Sequence, residues 1–103
     1  MLDGITFDSR GEADLYRHLC FLRSGGLIKS FEMQVPFKLY AGIVYVADFV
    51  VTMPDDRRRT LDFKGVLTPE FKLKKKLFEA DHGPLEIVTR ETGWKQWLRR
   101  FPA

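Results

Sequence analysis

Residues 43–51, Ile43-Val44-Tyr45-Val46-Ala47-Asp48-Phe49-Val50-Val51, are a nearly unbroken run of β-branched and aromatic side chains. Such a run reads as a central strand covered on both faces. Asp48 stands against that reading, because propensity and burial both disfavour a carboxylate there. Its ordinary explanation is a strand-end aspartate paired with an arginine. Next, Pro54-Asp55-Asp56 and Arg57-Arg58-Arg59 read as a hairpin loop, leading into a short strand Thr60-Leu61-Asp62-Phe63-Lys64 closed by Gly65. In a strand, residues i and i+2 share a face about 6.5 Å apart, so Asp62 and Lys64 stand side by side. Leu61 and Phe63 then turn into the core. Alone, an acid–x–lysine tripeptide is compatible with a simple exposed ion pair.

Working outward, Leu15, Leu19 and Leu22 recur at helical spacing, which predicts a helix from about Gly11 to Arg23, ended by Ser24-Gly25-Gly26. Ile28 to Leu39 alternates apolar and polar residues around Pro36 and predicts a strand, broken or at a sheet edge. Beyond Lys64, Thr68 as cap and Pro69 at the first position predict a helix to Asp81, stopped by His82-Gly83-Pro84. Leu85 to Thr89 reads as a strand. Trp94, Trp97, Leu98 and Phe101 fall at i, i+3, i+4 and i+7, the stripe of a last short helix. The order is α-β-β-β-α-β-α: an α/β chain with a mixed sheet flanked by helices.

The 103 residues suit one domain, and 45% hydrophobic side chains are enough to build a core. A net charge of +3 is only mildly basic. Distribution is more informative, because basic residues cluster at Arg57-Arg58-Arg59, at Lys72 with Lys74-Lys75-Lys76, and at Lys95 with Arg99-Arg100. These clusters would suit a polyanion or be solvated faces. The single cysteine, Cys20, excludes an internal disulfide and a cysteine-based zinc site. His18 and His82 have no ligand-like spacing, and Ser24-Gly25-Gly26 follows a helix, so it is no phosphate-cradling loop. No apolar run is long enough to span a membrane and the start lacks signal-peptide order, so a soluble intracellular chain is expected.

Further charges sit where the periodicity wants apolar residues. Stepping 100° per residue puts Glu12 in the arc of Leu15, Leu19 and Leu22. Ser9-Arg10-Gly11-Glu12 also matches a capping box, which explains Glu12 equally well. On the second helix, Phe71, Leu73, Leu77, Phe78 and Ala80 define an apolar arc with Lys74 inside it. Lys74 there needs an anionic neighbour or a snorkelling route. Lys72, Lys75 and Lys76 fall on the opposite side, where phosphate or water could meet them.

Carboxylates converging from a helix and adjacent strands suit a hard divalent cation such as Mg²⁺ or Mn²⁺. Phosphodiester hydrolysis needs what such a cation provides: neutralised phosphate charge, hydroxide near neutral pH and a stabilised leaving oxygen. A neighbouring lysine can orient or deprotonate the attacking water.

In order and spacing, Glu12, Asp48, Asp62 and Lys64 resemble the PD-(D/E)xK superfamily of restriction-endonuclease-like nucleases. The likeness extends through Gly4-Ile5-Thr6-Phe7-Asp8-Ser9, Gly26-Leu27-Ile28, Gln34-Val35-Pro36-Phe37-Lys38-Leu39, Tyr45-Val46-Ala47-Asp48-Phe49, and Asp62-Phe63-Lys64-Gly65 with Thr68, Phe71, Lys74 and Lys76. Over about residues 4 to 90 the chain resembles a phage-encoded family of small endonucleases regarded as Holliday-junction resolvases. The resemblance implies a restriction-endonuclease-like fold and a metal held by Asp48, Asp62 and the Phe63 carbonyl. It further implies Glu12 at a second ion, Lys64 acting on water, and action on branched DNA in a bacterial host cytoplasm. Lys74 is then expected to reach the scissile phosphate, Gln34 to orient a ligand, and Lys72, Lys75, Arg57 and Arg58 to contact DNA. A homodimer would suit paired cuts, with the Trp94, Trp97 and Phe101 stripe a candidate interface.

The chain departs from the superfamily pattern in one respect. Ala47 precedes Asp48 where the motif has proline, while a literal Pro54-Asp55 lies in the arginine-rich turn. Asp48, in the apolar strand, is taken as the metal ligand and Asp55 as a decoy. The alternatives are a nicking, repair or transposition nuclease of the same fold, and a catalytically silent nucleic-acid-binding or inhibitor protein.

Overall fold

In a computed structural model of the chain, residues 4–7 and 9–89 are described. Helix α1 spans Arg10–Ser24, strand β1 Ser30–Lys38, β2 Val44–Thr52 and β3 Arg58–Phe63; helix α2 spans Pro69–His82 and strand β4 Leu85–Val88. The sheet has four strands in the order β1-β2-β3-β4. β1 to β3 form an antiparallel meander, and β4 joins β3 in parallel after the α2 crossover. The order α-β-β-β-α-β is the one the periodicity predicts. The expected last helix, with its aromatic stripe, lies outside the described residues.

Local chemistry explains the element ends. Ser9 Oγ accepts the Glu12 N–H at 3.1 Å, and Thr68 Oγ1 accepts the Phe71 N–H at 3.1 Å, so each helix starts on a side-chain cap with Pro69 pre-set for the first turn of α2. Gly83, at φ 84°, ends α2 in a conformation only glycine adopts freely. Pro36 is accommodated because β1 is an edge strand, where a missing N–H costs no ladder bond.

Two apolar clusters fill the interior. One joins Leu15, Tyr16, Leu19 and Leu22 of α1 to Phe49, Val51, Leu61 and Val88 of the sheet. The other joins Phe71 and Phe78 of α2 to Tyr45, Ala47 and Leu85. Two expectations need correction. β2 is not covered on both faces throughout, because Val44 and Val46 are exposed and the both-sided burial is confined to Phe49, Val50 and Val51. The apolar arc of α2 is narrower than its sequence suggests: Phe71 and Phe78 are buried, whereas Leu73 and Ala80 are exposed.

Cross-links tie α2 down. The Leu85 N–H donates to Glu79 Oε2 at 2.9 Å, and Lys75 pairs with Glu79 Oε1 at 2.9 Å. Those donors hold the Glu79 carboxyl below its usual range, the amide more than the lysine. His82 Nε2 donates to the Lys38 carbonyl at 2.8 Å, and its ring packs on Phe37 and Phe78, which accounts for that histidine structurally.

Candidate functional site

The β2–β3 ladder stops at Phe49 opposite Leu61. At the next position side chains replace backbone carbonyls as acceptors. Asp62 Oδ1 accepts the Asp48 N–H at 2.7 Å, and Asp48 Oδ2 accepts the Phe63 N–H at 2.9 Å. The two aspartates thus hold the strands together where the ladder ends, each keeping a second oxygen off the backbone.

Asp62 is 1% exposed, and its Oδ2 is buried without a hydrogen-bond partner. Burial pushes the Asp62 carboxyl above its usual range, against the opposing pull of the Asp48 N–H and of Lys64. Lys64 Nζ lies 3.5 Å from that Oδ2, on the same face as predicted. It also sits over the Phe71 ring, 4.6 Å from the centroid, and 5.9 Å from that of Tyr45. Two aromatic faces and a carboxylate therefore fix the ammonium.

Glu12 is buried on the α1 stripe, as its helical phase predicts. Half of the proposed capping box is present, since Ser9 caps the Glu12 N–H. The carboxylate itself meets Gln34, whose Nε2 lies 3.5 Å from Glu12 Oε1 and 3.4 Å from Asp48 Oδ1. Gln34 therefore bridges the α1 carboxylate to the β2 carboxylate. Among the described residues no three His, Cys, Asp or Glu side chains stand together as a ready metal-ligand group, so Glu12 joins the aspartate pair through an amide.

Sequence reading missed Gly11. A Cβ on it would overlap the Phe63 ring, so this glycine lets the first turn of α1 lie directly on β3. That close approach brings Glu12 to the site. The available signal was a glycine in a helical first turn, where it lowers helix propensity and calls for a packing reason. Tyr45 and Phe71, which the sequence offers as apolar positions and as part of the resemblance, flank Lys64.

The predicted DNA contacts scatter. Lys74 is half-buried and pairs with Glu70 at 3.3 Å, the anionic neighbour its position required. Lys75 pairs with Glu79, and Arg57 with Asp55, whose carboxyl is lowered chiefly by the Arg57 N–H. Arg58 and Lys72 are exposed and make no ion pair among the described residues. Arg59 is sequestered by Glu86 and leaves the basic cluster altogether. Arg58 and Asp62 lie at opposite ends of β3, about 13 Å apart along the strand, so the arginine turn is remote from the aspartates.

Residues 1–95 match the family described as Protein of unknown function (DUF1064). The chain belongs to that family. A comparison with curated proteins gives no match. The DUF1064 match spans both aspartates, Glu12, Gln34 and Lys64, so the whole site lies inside the family's extent. Among the described residues no helix is long and apolar enough to cross a membrane.

The donor set suits a divalent cation. Asp62 Oδ2 is a buried carboxylate oxygen with no hydrogen bond, and Asp48 presents its Oδ1 from the neighbouring strand. Both side chains are anchored through their other oxygens. Hard carboxylate oxygens of this kind select Mg²⁺ or Mn²⁺ over softer ions.

Proposed function

We propose that the chain is a divalent-cation-dependent DNA endonuclease that hydrolyses phosphodiester bonds. The observation that carries this reading is the buried Asp62 Oδ2, which has no hydrogen bond and only an ion pair with Lys64 at 3.5 Å, on a carboxylate already fixed by the Asp48 N–H. A structural aspartate would satisfy both oxygens, because a buried acceptor without a partner is costly. This one meets only a 3.5 Å ion pair at Oδ2, a contact that a bound cation can replace.

On this reading Asp48, Asp62 and the Phe63 carbonyl hold Mg²⁺ or Mn²⁺, with Glu12 assisting at a second ion. Such an ion would supply Lewis-acid activation of water near neutral pH and would offset charge on the phosphate. The chain's own groups position and screen. Asp62 and Asp48 are pre-oriented by backbone amides, so little side-chain entropy is lost on binding. Lys64, a donor-only ammonium, orients water and balances negative charge at the reacting phosphate. Lys74 can leave Glu70 for a phosphate at little cost, since a largely solvated pair within one helix contributes about 0–1 kcal/mol. Lys72, Lys75, Arg57 and Arg58 are the remaining candidate backbone contacts.

Branched DNA as substrate, a symmetric homodimer for paired cuts, and a bacterial host cytoplasm as the place of action follow from the resemblance over residues 4 to 90. The deciding experiment is cleavage of four-way junction, flap, duplex and single-stranded DNA with Mg²⁺, Mn²⁺ or chelator. Asp62→Asn and Lys64→Ala serve as controls. Junction cutting that needs metal and both residues supports the reading. Metal-independent binding without cutting in every condition replaces it with a silent nucleic-acid-binding module.

A further inference from the structure

Gln34 lies inside β1 with φ 52°, in the left-handed region that a strand residue with a side chain rarely adopts. The departure is confined to one position. Met33 pairs with Phe49 and Val35 with Ala47, while Gln34 and Asp48, which face each other between them, do not pair. Because the register is the same on both sides, no residue has been inserted and the strand carries no bulge. What changes there is the cluster the strand faces: Phe31 and Met33 before Gln34 pack on the α1 cluster, and Phe37 after it packs on the α2 cluster.

The Gln34 side chain ends between two acids, with Nε2 3.5 Å from Glu12 Oε1 and 3.4 Å from Asp48 Oδ1. A primary amide has two N–H donors, one for each carboxylate, and brings no charge of its own. It spans the pair while leaving their negative charge available to a cation.

We propose that Gln34 is a positioning residue: its amide sets the separation of Glu12 and Asp48 for a divalent cation, and the left-handed backbone is the strain that this placement requires. The inference rests on the cation-dependent reading of the site. It distinguishes Gln34 from an ordinary strand residue, whose replacement lowers stability and leaves ligand affinity alone. Here the two effects separate, because glycine adopts a positive φ freely and asparagine tolerates it. Neither reproduces the amide reach: glycine has no side chain, and asparagine is one methylene short.

The test measures Mn²⁺ binding by calorimetry and the metal-free melting temperature on the full chain, for wild type, Asp62→Asn, Gln34→Gly and Gln34→Asn. The expected result is that both Gln34 variants melt at or above the wild-type temperature and bind Mn²⁺ about tenfold more weakly or worse, the range for outer-shell partners of metal ligands. Wild-type binding that both variants keep within threefold overturns the inference and leaves the site reading standing. A fall in metal-free melting temperature in both variants also overturns it, because the residue is then structural. No binding by wild type, or binding that Asp62→Asn leaves intact, overturns the cation-dependent reading itself.

Discussion

Asp48 and Asp62 brace each other's strands: the Asp48 N–H donates to the Asp62 carboxylate at 2.7 Å, and the Asp48 carboxylate accepts the amide of Phe63, the residue after Asp62, at 2.9 Å. The brace sits one step beyond the last β2–β3 pair, Phe49 with Leu61. It satisfies amides that the ending ladder leaves open, which would otherwise be costly so close to the core. It also fixes both carboxylates before any ligand arrives. The same two residues thus close the sheet and open the site.

Asp62 sets a stability prediction with a definite sign. Burial raises its pKa in the folded chain. A carboxyl with a raised folded pKa costs stability when ionised; that cost is absent below the unfolded pKa and complete above the folded one. Asp62→Asn removes the charge while keeping an oxygen for the Asp48 N–H. Its melting temperature is expected to exceed wild type by a few degrees on the neutral side, the gap closing as pH falls through the raised pKa. Cleavage should drop at least about a hundredfold, more than loss of an outer-shell partner costs. Calorimetric melts across a pH series, paired with the junction assay, check both halves.

The literal Pro54-Asp55 supplies a direct contrast with Asp48. Asp55 is exposed in the β2–β3 turn, where it accepts the Arg57 N–H at 3.1 Å, remote from Asp62. Asp55→Ala is expected to keep full cleavage and to change stability by less than about 0.5 kcal/mol, the usual scale for surface substitutions. Asp48→Ala is expected to abolish cleavage and to destabilise by about 1 kcal/mol, because the part-buried Phe63 N–H loses its acceptor. The reverse pattern in the cleavage assay would show that the wrong aspartate has been placed in the site.

Gly11 tests the approach of α1 to the sheet. On helix propensity alone, Gly11→Ala should stabilise by about 1 kcal/mol. The new methyl would overlap the Phe63 ring, which packs against the α1 cluster, and overpacking costs about 1–3 kcal/mol. The clash is expected to win, so the variant melts below wild type. Because the displaced turn carries Glu12, activity should fall as well. Phe63→Leu in the Gly11→Ala background relieves the overlap, and a double-mutant cycle showing no coupling between the two positions would sink the account.

Much of this architecture was readable from periodicity. The element order, both helix starts and the shared face of Asp62 and Lys64 follow from apolar spacing, capping residues and the strand pleat. What escaped was set by contacts between distant segments. The sequence of β2 does not reveal that its first half is covered on one side only, where Tyr45 and Ala47 meet α2, leaving Val44 and Val46 exposed. Nor does alternation in β1, which continues through Gln34, reveal the left-handed backbone there or the reach of its amide to Glu12 and Asp48. Lys74 shows both sides: its need for an anion was legible, and Glu70 one turn earlier answers it.

Arg58 and Arg59 are neighbours in sequence with opposite expected behaviour. Arg59 makes a two-point contact with Glu86, its Nε 2.7 Å from Oε2 and its Nη2 on Oε1, with side chains only 13% and 15% exposed. Removing one member of such a pair leaves the other buried and uncompensated, at a cost of about 3 kcal/mol. Arg59→Ala should therefore lower the melting temperature strongly. Arg58 is exposed and makes no ion pair among the described residues, so Arg58→Ala should leave stability within about 0.5 kcal/mol. If the arginine turn meets the DNA backbone, that variant lowers affinity uniformly across sequences and reduces the salt slope of binding by about one. Binding titrations at several salt concentrations decide it: an unchanged slope removes Arg58 from the interface, while the Arg59 stability result stands independently.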